Sequence, residues 1–548
     1  MTYIPPLRYP ALLILLGLVC FFPMLGSAPL FDWDEINFAE SAREMLITKD
    51  YFRVYIDFVP FTEKPPLFFW LQALSMQLWG VNEFAARFPN AVFGILVLLS
   101  LYYTGKRLMD ERFGLIWALA YLGSILPHLY FRSGIIDPVF NFFMFLGVAF
   151  LARTVYLHKM RGRFTAAALA GLFTGLAVLT KGPVGFLLVF ISFLGYWAYR
   201  RFNRLSGWKE VVLYAVSTLL VTMAWYGVET YKHGFTFLEQ FVIRQVEIFS
   251  TSDAGHGQPF YYHFVVLLIG CFPISVLSLK GFFAKSPFPG SEIALFRHWM
   301  ISLFIVVLTV FSISTTKIVH YSSMAYYPLS FLAAYHVYNL SKGRWLWHKA
   351  FAWLGIGLGL VLGILLTALP LVPMFKQQLI PYIKDAFAVG NLQANPDWGG
   401  WEWSIGLMFI GLSCLGWYYF SKGAYLKGSY WLFGAVAATM VLYTSAVVPK
   451  ISEYTQGANV RFFKSLAGKE VYGGSLWYKS YAPYFYGLRQ PGLRQESRQE
   501  AWLLYGDIDR PVYLSVKIND RKRMEELPQF VLLREENGFL YYLREPVK

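Results

Sequence analysis

Charge is what this chain has least of. Only 15% of its 548 residues are Asp, Glu, Lys or Arg, against 56% hydrophobic and 19% aromatic. A single soluble globule of that length cannot cover its surface with so few charges. Cysteine is nearly missing as well. Cys20, Cys271 and Cys414 each fall inside an apolar run, which excludes a disulfide framework for any exported part. CxxC and HExxH spacings are absent, so no metal site is expected. The chain also shows no internal repeat and no low-complexity segment.

What the chain has is apolar runs. About thirteen approach the ~20 residues needed to cross a bilayer. They begin near Ala11, Ala85, Leu115, Pro138, Ala166, Val184, Val211, Tyr261, His298, Ser322, Ala350, Trp403 and Ser429. The expected class is therefore a polytopic α-helical membrane protein. The first run is preceded by Arg8 and ends near the small residues Gly26 and Ala28, as a secretory signal would. Its length and the early Pro5 and Pro6 favour a retained anchor.

Orientation follows from the loops, because Lys and Arg are retained on the cytoplasmic side. Alternate loops are basic: "GKRLMDERFG", "HKMRGRF", "YRRFNRLSGWK", "SKGRWLWHK" and "SKGAYLKG". The intervening loops, including residues 32–84, and the whole tail then face outward. The +15 net charge is largely topological and implies no nucleic-acid partner.

Hydropathy collapses after Ser445, giving an expected division into a membrane domain, 1–448, and a small outward-facing α/β domain, 449–548. In the latter "RPVYLSVKI" reads as a buried strand and "DRKRMEELP" as a short helix. Asn537-Gly538 reads as a tight hairpin turn. Within 32–84, "DEINFAESAREML" places Ile36, Ala39, Ala42 and Leu46 on one stripe, as for a helix lying along the membrane surface.

Three lysines sit at outward edges where the positive-inside bias predicts few cations: Lys64 in "FTEKPPLFFW", Lys181 in "LTKGPVG" and Lys317 in "TTKIVHYSS". Each could snorkel to the head groups. Gly or Pro beside Lys64 and Lys181 instead leaves free backbone N–H groups next to the cation, as an anion site needs. Asp34 and Asp137 both suit helix N-caps, Asp137 especially with Pro138 behind it. Glu63 suits a salt bridge to Lys64. His256 and His263 flank "GQPFYY"; packing beside aromatics explains both, and the glycines around His256 also suit a mobile loop closing on substrate. Taken together, these residues have a chemical logic. Moving a sugar off a polyprenyl phosphate needs a carboxylate to accept the attacking hydroxyl's proton and cations to stabilise the departing phosphate.

"DWDEINFAESAREML", then "FTEKPPLFFW", "IIDP", "LTKGPVG", "GHGQPFYYH" and "TTKIVHYSSMAYYPL" follow in that order. This series resembles the GT-C glycosyltransferases related to the lipid A aminoarabinose transferase and the protein O-mannosyltransferases. The resemblance covers residues 1 to about 340 and is strongest at the D-E and E-K-P motifs. It implies a GT-C fold of about thirteen membrane helices, with juxtamembrane helices in the first external loop and a periplasmic C-terminal domain. It implies Asp34 as catalytic acid/base, grouped with its neighbour Glu35 and with Asp137, while Lys64 contacts the donor phosphate and Glu63 and Asp137 orient the donor-binding site. Lys181, Lys317, His320 and Tyr321 fall where the donor head group would lie, joined by His256. Two departures stand out: a longer spacer before Pro328, and no direct match for an arginine before "GHGQPFYY", where Arg244 is the substitute. They leave the sugar and the acceptor open.

The expected activity is inverting transfer from a polyprenyl-phosphate sugar to lipid A, a protein Ser/Thr or a glycan, at the periplasmic face of a bacterial inner membrane, by a monomer. No cofactor or metal is obligatory. A transporter or flippase of lipid-linked sugars is the alternative, but it predicts internal repeats and ionisable residues at mid-membrane. A scaffold that binds partners through its tail would leave the Asp and Lys motifs unexplained.

Overall fold

The computed structural model describes residues 8–157, 160–203, 205–251 and 257–546. Among them, seven helices are long and apolar enough to cross a membrane: Glu83–Leu108, Asp137–Tyr156, Arg163–Lys181, Trp208–His233, Glu292–Ile313, Lys349–Tyr382 and Ser404–Ser421. Two bent pairs, Tyr262–Gly270 with Ile274–Phe283 and Tyr425–Ala446 with Val448–Lys464, raise the number to nine if each is one span. This is a multi-pass membrane protein.

Each expected apolar run falls on a helix, yet about thirteen full spans were expected, and the difference has physical causes. Pro273, which has no N–H to give the helix, stands at the 105° bend of the first pair. Arg8–Phe21, Glu111–Leu122, Val184–Tyr199 and Tyr326–Ser341 have 14, 12, 16 and 16 residues. Tyr326–Ser341 is buried at every position up to Leu340. It is buried on all sides because it forms the centre of the bundle. Arg8–Phe21 packs into the same core through Leu13 and Phe21, both fully buried. Helices close tightly where glycines face each other: a Cβ on Gly105 would stand 2.7 Å from the Cα of Gly114.

The β structure lies outside the bundle. Strands β1 (Tyr55–Ile56) and β2 (Val59–Pro60) form a small antiparallel hairpin turned by Asp57 and Phe58. The C-terminal sheet contains β3 (Tyr472–Ser475), β4 (Val512–Lys517), β5 (Val531–Glu536) and β6 (Phe539–Arg544), in the order β3-β4-β6-β5. The β3/β4 pair is parallel and the others are antiparallel. Asn537 and Gly538 turn the β5–β6 hairpin with φ of +50° and +83°, the left-handed conformation that this dipeptide favours. One face of the sheet closes on Leu503, Leu504 and Met524. The other puts Phe539 and Tyr541 into a cluster with Phe462, Phe463, Ile36 and Ala39. The C-terminal domain is thereby seated on the first long loop.

That seating corrects one expectation. The Asp34–Thr48 helix does not bury one apolar stripe and leave the opposite face solvated. It is buried at every residue from Glu35 to Met45, held between the Leu67–Trp79 helix and the C-terminal domain. Its polar groups are accordingly paired. Arg43 donates to both oxygens of Glu40, at 2.7 and 2.6 Å, and to the carbonyl of Arg489 at 2.7 Å. Burial and the adjacent Glu40 push the Glu44 carboxyl well above its usual range, which lets the crowded carboxyls coexist. Asp57 is clamped from the C-terminal domain by Arg489 at 2.6 Å and Arg498 at 3.2 Å.

Candidate active site

Both aspartates expected to be possible caps are released from that duty. The Asp34–Thr48 helix has Trp33 at its N-cap position, and the Asp137–Tyr156 helix has Ile136, with no side-chain cap bond in either case. The carboxylate of Asp34 instead lies 3.4 Å from Nε2 of His320. The same nitrogen is 3.8 Å from Asp137, and the other oxygen of Asp137 accepts from the Lys181 ammonium at 2.6 Å. Asp34, His320, Asp137 and Lys181 thus form one continuous line of ionisable groups. They come from the first loop, the turn before the central helix, and two bundle helices.

The line runs between two cavities. One, of about 650 Å³, has Trp33, Asp34 and His320 in its wall, with apolar groups such as Met24, Leu129 and Ile318. The other, of about 500 Å³, has Lys64, Asp137, Lys181 and Tyr321 at its polar end and Phe186, Leu187, Val242 and Val246 on its sides. Those four apolar side chains are exposed, so the second cavity opens through an apolar mouth, as access from lipid would require. In it the Lys181 ammonium sits 5.1 Å from the ring centre of Tyr321 and 5.6 Å from that of Phe140. These cation–π contacts hold a partly desolvated cation without neutralising it.

Glu63 organises the rim. Its carboxylate is 2.5 Å from Lys64 and 3.1 Å from Arg244, and its backbone carbonyl accepts from Gln245 at 2.9 Å. Burial alone would raise Glu63, but the charges of Lys64 and Arg244 outweigh it and hold the carboxyl below its usual range. The lone Lys64–Glu63 salt bridge expected from sequence is therefore a three-membered network that includes Arg244.

Other expectations need correction. Glu35 is not a reactive neighbour of Asp34: the helix turns it inward, where it is 2% exposed. One oxygen accepts from Arg87 at 3.0 Å and from the Gly134 N–H, and the other from Arg87 at 2.8 Å and the Phe31 N–H at 2.8 Å. Its work is to fix the helix start. Lys317 does not reach either cavity, because its ammonium is buried and donates to the Ser314 carbonyl at 2.6 Å. His256 lies outside the described residues. His263 is buried against Ser322, with Nδ1 at 3.1 Å from the hydroxyl.

Several groups at the site were not anticipated. Arg87 also donates to the carbonyls of Leu25, Ala28 and Pro29; an arginine inside "EFAARF" at a membrane edge is a signal that could have found it. The C-terminal domain contributes too. Asp32 accepts from the Ser480 hydroxyl and from the Tyr481 N–H, Trp33 donates to the Lys479 carbonyl at 3.2 Å, and the Lys479 ammonium covers the Trp33 ring. Trp33 itself has φ of +90°, a strained conformation maintained by these surroundings. Burial, with Glu63, Asp34 and Asp32 nearby, raises the Tyr481 phenol above its ordinary value.

Comparison with known proteins agrees with this arrangement. Residues 63–226 match the family model described as dolichyl-phosphate-mannose-protein mannosyltransferase; the match contains Asp137 and Lys181 but not Asp34 or His320. The chain is 27% identical over 413 residues to the undecaprenyl phosphate-alpha-4-amino-4-deoxy-L-arabinose arabinosyl transferase of Pectobacterium atrosepticum, covering 72% of this chain and 73% of that one. It is 30% identical over 335 residues to an uncharacterized protein of Aquifex aeolicus, covering 59% and 73%. The crystal structure of ArnT from Cupriavidus metallidurans bound to undecaprenyl phosphate superposes with a TM-score of 0.77 over 98% of both chains at 17% identity, which establishes a common GT-C fold. The shared fold and the sequence kinship across the membrane domain make this chain a member of the GT-C glycosyltransferases of the aminoarabinose transferase and protein mannosyltransferase family.

Proposed function

We propose that the chain transfers a sugar, with inversion, from a polyprenyl-phosphate donor to a hydroxyl or phosphate acceptor such as lipid A, a protein Ser/Thr or a glycan. The observation that carries this reading is the line Asp34–His320–Asp137–Lys181 joining two cavities. The lipid-open cavity suits the donor: its prenyl chain meets Phe186, Leu187, Val242 and Val246, and its phosphate meets Lys64 and Lys181. The other cavity brings the acceptor to Asp34.

With a hydroxyl acceptor, the oxygen attacks the anomeric carbon, its proton passes to Asp34, and the bond from that carbon to the phosphate oxygen breaks. The electron pair leaves with the polyprenyl phosphate, whose charge is met by the two ammonium groups. His320, flanked by both aspartates, positions Asp34 and couples proton acceptance to the Asp137–Lys181 pair. The donor brings its own leaving group, so the mechanism assigns no role to a nucleotide or a metal. Polyprenyl phosphate as carrier is supported by the names of the arabinosyl transferase relative and of the lipid-bound ArnT structure. A periplasmic site in a bacterial inner membrane is supported by the basic loops at the far end of the bundle, with Arg107, Arg112, Arg161 and Arg163.

The test is reconstitution of the purified chain in liposomes with radiolabelled undecaprenyl-phosphate pentose or hexose and candidate acceptors. Label is expected to move from the lipid-linked pool to an acceptor, with undecaprenyl phosphate released and no nucleotide added. Intact donor changing leaflet with no glycoside formed would establish the flippase alternative instead.

A further inference from the structure

A third large cavity, of about 680 Å³, lies far from Asp34 and is lined by faces of three bundle helices. Glu83–Leu108 contributes Leu96, Leu99, Ser100, Tyr103, Thr104 and Arg107, positions that recur at helical spacing and so share one face. Asp137–Tyr156 adds Leu146, Phe150 and Arg153, and Arg163–Lys181 adds Thr165 and Leu169. On each helix the face changes character in the same direction. The leucines lie deeper in the bundle, and Arg107, Arg153 and Thr165 lie at its end. At ~1.5 Å per residue, Arg107 is about 36 Å along its helix from Glu83, and Arg153 about 24 Å from Asp137. The groove is therefore at the end of the bundle opposite the glycosyl-transfer site.

Its charge is incompletely matched. Arg107 pairs with Glu292 at 3.2 Å. The Arg153 guanidinium has no hydrogen-bond or ion-pair partner among the described residues and is near enough to Arg107 for the two charges to repel. Two guanidiniums above an apolar trough, with four hydroxyl-bearing side chains in the same lining, match an amphiphile with an anionic head. Basic pockets between membrane helices on the side of the basic loops are where such head groups bind.

We propose that this groove is a binding site for an anionic glycerophospholipid, its phosphate on Arg107 and Arg153 and one acyl chain along Leu96, Leu99, Leu146 and Leu169. The occupant is a lipid rather than a soluble phosphate because the cavity continues into exposed apolar surface at Leu96. The site is independent of the donor and acceptor cavities, since it shares no lining residue with either.

Native mass spectrometry of the purified full-length protein, titrated with phosphatidylglycerol or phosphatidylcholine, tests this. Phosphatidylglycerol is expected to bind about tenfold more tightly than phosphatidylcholine, the effect of one charge-assisted contact. Arg153→Gln should remove most of that preference, and Arg107→Gln with Arg153→Gln all of it. Leu99→Trp, which fills the trough without changing charge, should weaken both lipids. Because Arg153 has no partner to lose, Arg153→Gln decides the matter if the double variant does not fold. Equal binding of the two lipids, an undiminished preference in Arg153→Gln, or displacement of the lipid by glycerol phosphate at equal concentration would overturn the proposal.

Discussion

Asp34→Asn is expected to lower glycosyl transfer by about 10²–10⁴-fold, the loss that accompanies removal of a general base, while the protein stays folded and binds donor as before. Asn has the shape of Asp, so it occupies the same place at the start of its helix and beside His320. It carries no negative charge and cannot accept the acceptor's proton. The cost to folding is small because Asp34 makes no cap bond and its side chain is 37% exposed. Donor affinity is spared because Lys64 and Lys181 belong to the other cavity. A purely structural Asp34 would give the opposite pattern, a lower melting temperature with little change in rate. Single-turnover transfer and undecaprenyl-phosphate binding, measured on the same preparation, distinguish the two.

Arg87→Met is expected to be the most damaging single change to stability. Met keeps the apolar stem of the side chain but leaves Glu35 buried and uncompensated, along with three backbone carbonyls that lose their donor. Removing one partner of a buried pair costs about 3–5 kcal/mol. Glu35→Gln added to Arg87→Met removes the stranded charge and should recover part of that loss, a coupling that a double-mutant cycle reads directly. The measurement is thermal unfolding in detergent. Arg87→Met melting with the native protein would refute the assignment of Glu35 and Arg87 as the fixed base on which Asp34 is mounted.

The contrast between Asp34 and Glu35 shows how much of the site was legible in the sequence. Neighbouring carboxylates look alike in a string of letters, yet successive residues of a helix point about 100° apart, so one faces a cavity and the other the protein interior. Which is which depends on Arg87, some fifty residues later. Lys64 and Lys181 were legible because a cation at an outward membrane edge needs an explanation, and both line the lipid-open cavity. Lys317 met the same criterion and failed, because the Ser314 carbonyl three residues earlier absorbs its ammonium. The hairpin at Asn537-Gly538 was legible from local turn chemistry. The burial of the Asp34–Thr48 helix was not, because its second covering layer is the C-terminal domain, more than four hundred residues away. Lys479 and Tyr481 were missed for the same reason.

The central claim is that one line of ionisable groups serves two cavities, donor on one side and acceptor on the other, and selective blocking tests it most directly. In a Cys414→Ser background the remaining Cys20 and Cys271 are buried, so a new cysteine is the only accessible thiol among the described residues. Ser27→Cys lines the Asp34 cavity and Val246→Cys the lipid-open one. After reaction with a bulky maleimide, the first protein should still bind undecaprenyl phosphate but transfer no sugar to acceptor, and the second should lose undecaprenyl-phosphate binding itself. Loss of lipid binding from the blocked Ser27→Cys protein, or full transfer by either blocked protein, would contradict the account.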